Sequence, residues 1–178
     1  MQFCNDLTFD AAGNLYATDS FSGTVLRLPA GGNALETWFT DPALAPAAQG
    51  AFGLDGIVAT TGALYLGKLD TGGLYRVPIN ADGTAGTATQ LTALSAPDGI
   101  RALDDHTLLV AENSGSLVKL AITGDAATAT VLATGLDQPT GVTVARGSAW
   151  VSEGQLGKLF SQPPIAPSEP FLVRRVDL

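Results

Sequence analysis

Asn5, Asp55 and Asp98 are the residues of this chain whose types and spacing could do chemistry. Each stands at the start of a short apolar run, in the pairs Asn5-Asp6, Asp55-Gly56 and Asp98-Gly99, and Thr140-Gly141 follows in the same position. The interval is about 42 to 50 residues. Carboxylate and amide oxygens converging without cysteine or histidine are hard ligands. They suit Ca²⁺ first, with another divalent cation such as Mg²⁺, Mn²⁺ or Zn²⁺ as the alternative. A second set closes the next apolar run of each repeat: Asp19, Lys68, Glu112 and Glu153. These four are the candidate substrate contacts. The same residue types also serve locally, because Asp and Asn cap turns with their own backbone. Lys68 could pair with Asp19, Asp55 or Glu112, or bind an anionic substrate.

The elements that must position these residues are short strands. Each repeat reads as an apolar run, a turn signal and a second run, as in Leu7 to Asp19 across Gly13-Asn14. Third runs follow at Thr24–Leu28, Leu74–Pro78, Leu117–Ile122 and Lys158–Phe160, and weaker outer ones at Leu35–Phe39, Thr87–Thr92, Thr128–Ala133 and Phe171–Val176. No segment keeps a long helical period. A repeat of this length made of short strands predicts an all-β fold, a β-propeller of about four four-stranded blades. The approximate blades are 5–39, 55–92, 98–133 and 140–178, in one domain. In an up-and-down blade the first strand's start and the second strand's end share a rim, because the two run antiparallel. Asn5, Asp6, Asp55, Asp98 and Thr140 are thus expected around an axial opening. Tyr16, Tyr65, Trp38 and Trp150 read as packing residues. The loop from Thr40 to Gly53 has no strand pattern and is expected to be functional or ordered against a neighbour.

Composition narrows the function classes. The chain has 178 residues and a net charge of −8, which argues against nucleic acid and anionic membranes as partners. A small molecule is the expected partner. One cysteine, Cys4, excludes an internal disulfide and reads as a buried, inert thiol. The single histidine, His106, sits in a predicted hairpin turn on the rim opposite the acids, so a Ser-His-Asp triad has no natural place. No apolar run is long enough to cross a membrane and no secretory signal is visible, so a soluble chain is expected, its compartment unknown. Four blades are few for a propeller, and the repeat opens only just after Met1. The expectation is the later part of a larger ring, with exposed blade edges that favour self-association.

The motif Asn5-Asp6-x-x-x-Asp10-x-x-Gly13, followed by Asp55-Gly56 and Pro97-Asp98-Gly99, resembles the family of senescence marker protein, gluconolactonase and luciferin-regenerating enzyme, with paraoxonases as distant cousins. The resemblance covers nearly the whole chain. It implies a six-bladed propeller with an axial divalent cation, and a lactonase-type hydrolase of small cyclic esters. It further implies Asp98 as the catalytic base, alongside its role as a metal ligand with Asn5 and Asp55. The family's glutamate ligand comes from a blade that would precede Met1, and asparagine is usual where Asp55 stands. Residues 13–20, Gly-Asn-Leu-Tyr-Ala-Thr-Asp-Ser, also resemble NHL-type repeats. A non-catalytic binding or sensor module therefore stands as the alternative, as does an inactive remnant.

Overall fold

The computed structural model describes residues 3–178. The first sheet holds β1 (Cys4–Phe9), β2 (Leu15–Asp19), β3 (Thr24–Leu28) and β4 (Glu36–Thr40). The second holds β5 (Leu54–Thr60), β6 (Ala63–Lys68), β7 (Leu74–Pro78) and β8 (Thr89–Thr92). The third holds β9 (Pro97–Asp104), β10 (Thr107–Glu112), β11 (Ser116–Thr123) and β12 (Ala126–Thr134). The fourth holds β13 (Pro139–Ala145), β14 (Ser148–Glu153) and β15 (Val173–Asp177). All pairings between named strands are antiparallel. β1 lies against β5, β5 against β9 and β9 against β13, so the sheets are successive blades around one axis.

The last blade departs from the expected strand plan. Lys158 to Phe160 does not form a third strand. A one-turn helix, α1 (Leu156–Leu159), occupies that stretch, and the C-terminal strand β15 pairs directly with β14. The prolines between Ser161 and Pro170 cannot donate ladder hydrogen bonds, so the chain reaches its pairing partner only beyond them.

The core lies between blades. Tyr16 and Val25 of the first blade meet Leu54, Ile57 and Leu64 of the second. Tyr65 and Leu74 meet Ile100 and Leu108, and Leu109 and Leu117 meet Ala149 and Val151. Arg27 and Arg76, at matching positions of consecutive third strands, each donate to a backbone carbonyl of the next blade, Gly83 and Gly124, at 2.8 Å. Trp38 packs edge-on against Tyr16 at 5.0 Å and donates to the Gly83 carbonyl, bridging two blades. Trp150 is only half-buried rather than in the core. Cys4 is exposed, not buried. It opens β1, which stands at the edge of its sheet with β2 as its ladder partner among the described residues. Along β1 the residues alternate. Asp6 and Thr8 accept from the backbone of Ile57 and Ala59 in the second blade, while Leu7 and Phe9 face away and are exposed.

The loop after β4 is anchored by its own contents. Asp41 caps a 3-10 turn, Pro42–Leu44, by accepting from the Ala43 N–H, and Leu44 is fully buried between the first two blades. Leu44→Ala should cost about 2–5 kcal/mol in urea unfolding, the usual range for a cavity of that size. A loss under 1 kcal/mol would mean that the loop does not share the core.

Candidate functional site

A bulge at the start of each innermost strand aims the site residues. Opposite β2, the pair Asn5-Asp6 faces the single residue Thr18. Opposite β6, Asp55-Gly56 faces Gly67, and opposite β10, Asp98-Gly99 faces Ala111. In the fourth blade Thr140 is the extra residue. Two residues against one bends the strand and redirects the bulged side chain. The glycines permit the close approach that follows. A Cβ on Gly56 would overlap the Asp98 carbonyl oxygen, and one on Gly99 would lie 2.7 Å from the Gly141 Cα. The Asp-Gly pairs therefore lie within strands, not in turns.

Asn5, Asp55, Asp98 and Thr140 line one cavity of about 760 Å³ on the rim. Asn5, Asp6, Asp98 and Thr140 also line an adjoining axial channel of about 330 Å³. Asp98 accepts a hydrogen bond from Asn113 Nδ2 at 3.1 Å. Asn5 Nδ2 donates to Ser20 Oγ at 3.1 Å, and Ser20 Oγ donates to the Leu54 carbonyl at 2.6 Å, which ties the first blade to the base of Asp55. Asp55 is 4% exposed. Burial pushes its carboxyl up to about 8, with the Asp98 and Asp6 charges adding to the rise and a hydrogen bond with Asn5 opposing it. Burial also pushes Asp98 up to about 7, against the Asn113 hydrogen bond. Burial raises Asp6 as well, opposed by the Ile57 and Leu7 N–H groups.

Mutual repulsion in a buried spot with no Lys or Arg among its lining residues suits an added positive charge. The donors are two carboxylates and the carboxamide oxygen of Asn5, a hard-oxygen set that fits a Ca²⁺-like ion. Among the described residues, no cluster of three or more His, Cys, Asp or Glu stands at metal-holding spacing. The fit thus depends on the Asn5 amide oxygen joining Asp55 and Asp98.

The four residues that end the second strands lie elsewhere. Asp19, Lys68, Glu112 and Glu153 are buried and none lines the cavity. Asp19 accepts from the Phe3 and Phe21 N–H groups and from Ser22. Glu112 accepts from the Ser95 N–H at 2.7 Å, and Glu153 pairs with Arg174 at 2.9 Å. Lys68 pairs with none of its three expected partners. Its Nζ meets Asp70 Oδ1 at 2.6 Å, and Asp70 Oδ2 in turn accepts from the Ala47 N–H of the long loop. These contacts hold the last strand residue of each blade to adjoining loops or, for Glu153, to β15, and in two blades the next residue faces the cavity instead. Asn113 and Leu69, each one residue past its strand, line the cavity accordingly. Sequence reasoning missed both, since the equivalent residues Ser20 and Gly154 do not line the cavity and no pattern shared by the four blades marks them. Asp10 is likewise apart from Asn5. It caps the β1–β2 turn by accepting from Asn14 and Tyr16. His106 is exposed in the β9–β10 turn and lines a separate cavity between Thr61 and Gly124, as its expected turn position required.

Among the described residues no helix is long and apolar enough to cross a membrane. No protein-family model and no curated protein matches the sequence. Solved structures do match. A luciferin-regenerating enzyme superposes with a TM-score of 0.73 at 15% identity, covering 99% of this chain and 61% of its own. Regucalcin, a calcium-binding protein from Agrobacterium tumefaciens, gives 0.64 at 15% identity, covering 84% of this chain and 52% of its own. Virginiamycin B lyase from Staphylococcus aureus gives 0.62 at 17% identity, covering 84% and 48%. The chain spans about half to three-fifths of the length of these structures. At such identities the likeness is one of fold. The chain is an all-β propeller chain, built on the same blades as a luciferin-regenerating enzyme, a calcium-binding protein and a lyase.

Proposed function

We propose that this chain carries the cation-binding floor of a divalent-cation-dependent hydrolase acting on small cyclic esters, with Ca²⁺ the first choice. The observation that carries the reading is the convergence of Asn5, Asp55 and Asp98, from three successive innermost strands, on one cavity. Their similarity in order to the lactonase-type motif supports it, as does the fold shared with regucalcin, a calcium-binding protein.

Asn5, Asp55 and Asp98 would hold the ion. A bound divalent cation supplies polarisation of the ester carbonyl and neutralises carboxylate charge. Asn113 holds one Asp98 oxygen, which orients that carboxylate. Asp98 takes a proton from a water whose oxygen adds to the ester carbon. The ring C–O bond then breaks, the proton passes from Asp98 to the departing alkoxide, and the product is an open hydroxy acid.

The test is calorimetric titration of Ca²⁺ into the chelator-treated chain, with thermal unfolding alongside. At a hundredfold excess over Kd, native-state binding contributes about 2.7 kcal/mol. For a domain of this size that raises Tm by roughly 5–10 °C. Asp98→Ala should abolish both the heat and the rise, along with lactone turnover. A folded chain that takes up no Ca²⁺ would overturn the cation reading.

One observation favours a second reading, a non-catalytic binding module. Asp19 and Glu112 spend their carboxylates on backbone N–H groups, as structural caps do. Under that reading the rim acids serve only to hold the backbone, and Asp98→Ala would leave ligand binding at the loops intact.

A further inference from the structure

Four phenylalanines from separate segments gather at the mouth of the same cavity. Phe3 precedes β1, Phe21 follows β2, Phe52 closes the long loop, and Phe160 follows α1. Their rings form a chain. Phe3 and Phe52 meet edge-on at 5.3 Å, Phe21 lies 5.4 Å from Phe3 and 5.3 Å from Phe52, and Phe160 lies 6.3 Å from Phe52. Phe21 backs the wall, while Phe3, Phe52 and Phe160 line the cavity. This is not core packing, since Phe3 is 43% and Phe160 60% exposed.

Part of the polar lining is already engaged within the protein. Asn5 Nδ2 is bound to Ser20, Asn113 Nδ2 to Asp98, and Thr140 Oγ1 to Ser152 Oγ at 3.3 Å. Gln138 Oε1 accepts from the Gly157 N–H. A polyhydroxylated ligand would have to replace its water hydrogen bonds through the remaining amide atoms and the carboxylates. Three of the lining residues are phenylalanines, and cavities of this size commonly bind apolar bodies with a few polar anchors.

We infer that the cavity selects cyclic esters bearing an aromatic or alkyl body, seated on Phe3, Phe52 and Phe160 with the ester group over Asp55 and Asp98. The inference rests on the hydrolase reading for the ester group and on the aromatic wall for the body.

The experiment uses the Ca²⁺-loaded full chain and two non-hydrolysable probes, a phenyl-substituted six-membered lactam and a polyhydroxylated one, titrated by calorimetry. The phenyl lactam should bind at least about tenfold more tightly, since well-placed aromatic contacts are worth up to about that factor each. Phe160→Ala should cost the phenyl lactam about tenfold and leave the other probe unchanged, and Phe160→Trp should restore it. Phe160 is exposed on a surface turn, so its removal leaves the blades intact. Equal binding of the two probes, no binding of either, or an unchanged preference in Phe160→Ala overturns the inference. Turnover of the matching lactones is measured separately. Turnover without phenyl preference would sink this inference alone. Phenyl-lactam selection without any lactone turnover would sink the hydrolase reading alone.

Discussion

Gly56→Ala is expected to destabilise the chain by about 3 kcal/mol or more, at the upper end of what overpacking usually costs. The added methyl would overlap the backbone carbonyl of Asp98 and would sit 2.9 Å from Ile100 Cγ1. Backbone in the adjacent innermost strand cannot rotate out of the way as a side-chain tip can. The blades would have to separate, taking Asp55 from Asp98. Gly141→Ala is the contrasting case. Its new Cβ would meet the Ser152 hydroxyl at 3.0 Å, which a rotamer change relieves, so the loss should be nearer 1 kcal/mol. Urea unfolding of both variants checks the pair. Equal losses would mean that the close approach of β5 and β9 does not limit packing.

The second large effect is electrostatic. Asp55→Asn should stabilise the cation-free chain by roughly 2 kcal/mol at pH 8. The sign follows from proton counting. Asp55 titrates at about 8 in the folded chain, against an ordinary carboxylate value of 3.8. Between those values the native state holds more protons than the unfolded state, so stability falls as pH rises. The contribution is fully present below pH 3.8 and is lost as pH climbs through about 8. Asp98, at about 7, adds to the same slope. Melting the chelated wild type between pH 5 and pH 8 should therefore show a decline. The variant's decline should be shallower, because the amide removes the charge that Asp98 and Asp6 oppose. Ca²⁺ should reverse the wild-type loss at pH 8 and do less for the variant, which has one carboxylate fewer to offer. An Asp55→Asn chain that is less stable than wild type at pH 8 without cation would show that the Asp55 carboxylate is not under the repulsion described.

The two effects share one origin, and it marks where sequence reading stopped. The Asp-Gly pairs were legible as a repeat, but as turn caps or ligands. Their second residue has a different use, since glycine inside a strand allows a bulge and a neighbouring backbone at very short range. Asn5 and Asp10 stood in one motif, yet the antiparallel turn sends Asp10 to the opposite rim, where it caps. Asp19, Lys68, Glu112 and Glu153 were placed on the correct rim by antiparallel pairing. Hydrogen bonds and ion pairs then tie them to adjoining loops and to β15, one residue short of Asn113 and Leu69.

The sequence by itself determined the all-β propeller fold, the strand order of three blades and the shared rim of Asn5, Asp55, Asp98 and Thr140. A hydrophobic repeat and antiparallel pairing are enough for that, because both act within a blade. Tertiary structure alone decided what happens between blades. It set the bulges that aim the carboxylates and the burial that raises them. It joined Lys68 to Asp70 and Asp70 to the long loop. It also gathered Phe3, Phe21, Phe52 and Phe160 into one wall from positions with no common period. Those contacts join residues far apart in the chain, and no local pattern encodes which loop ends meet once the blades are set around their axis.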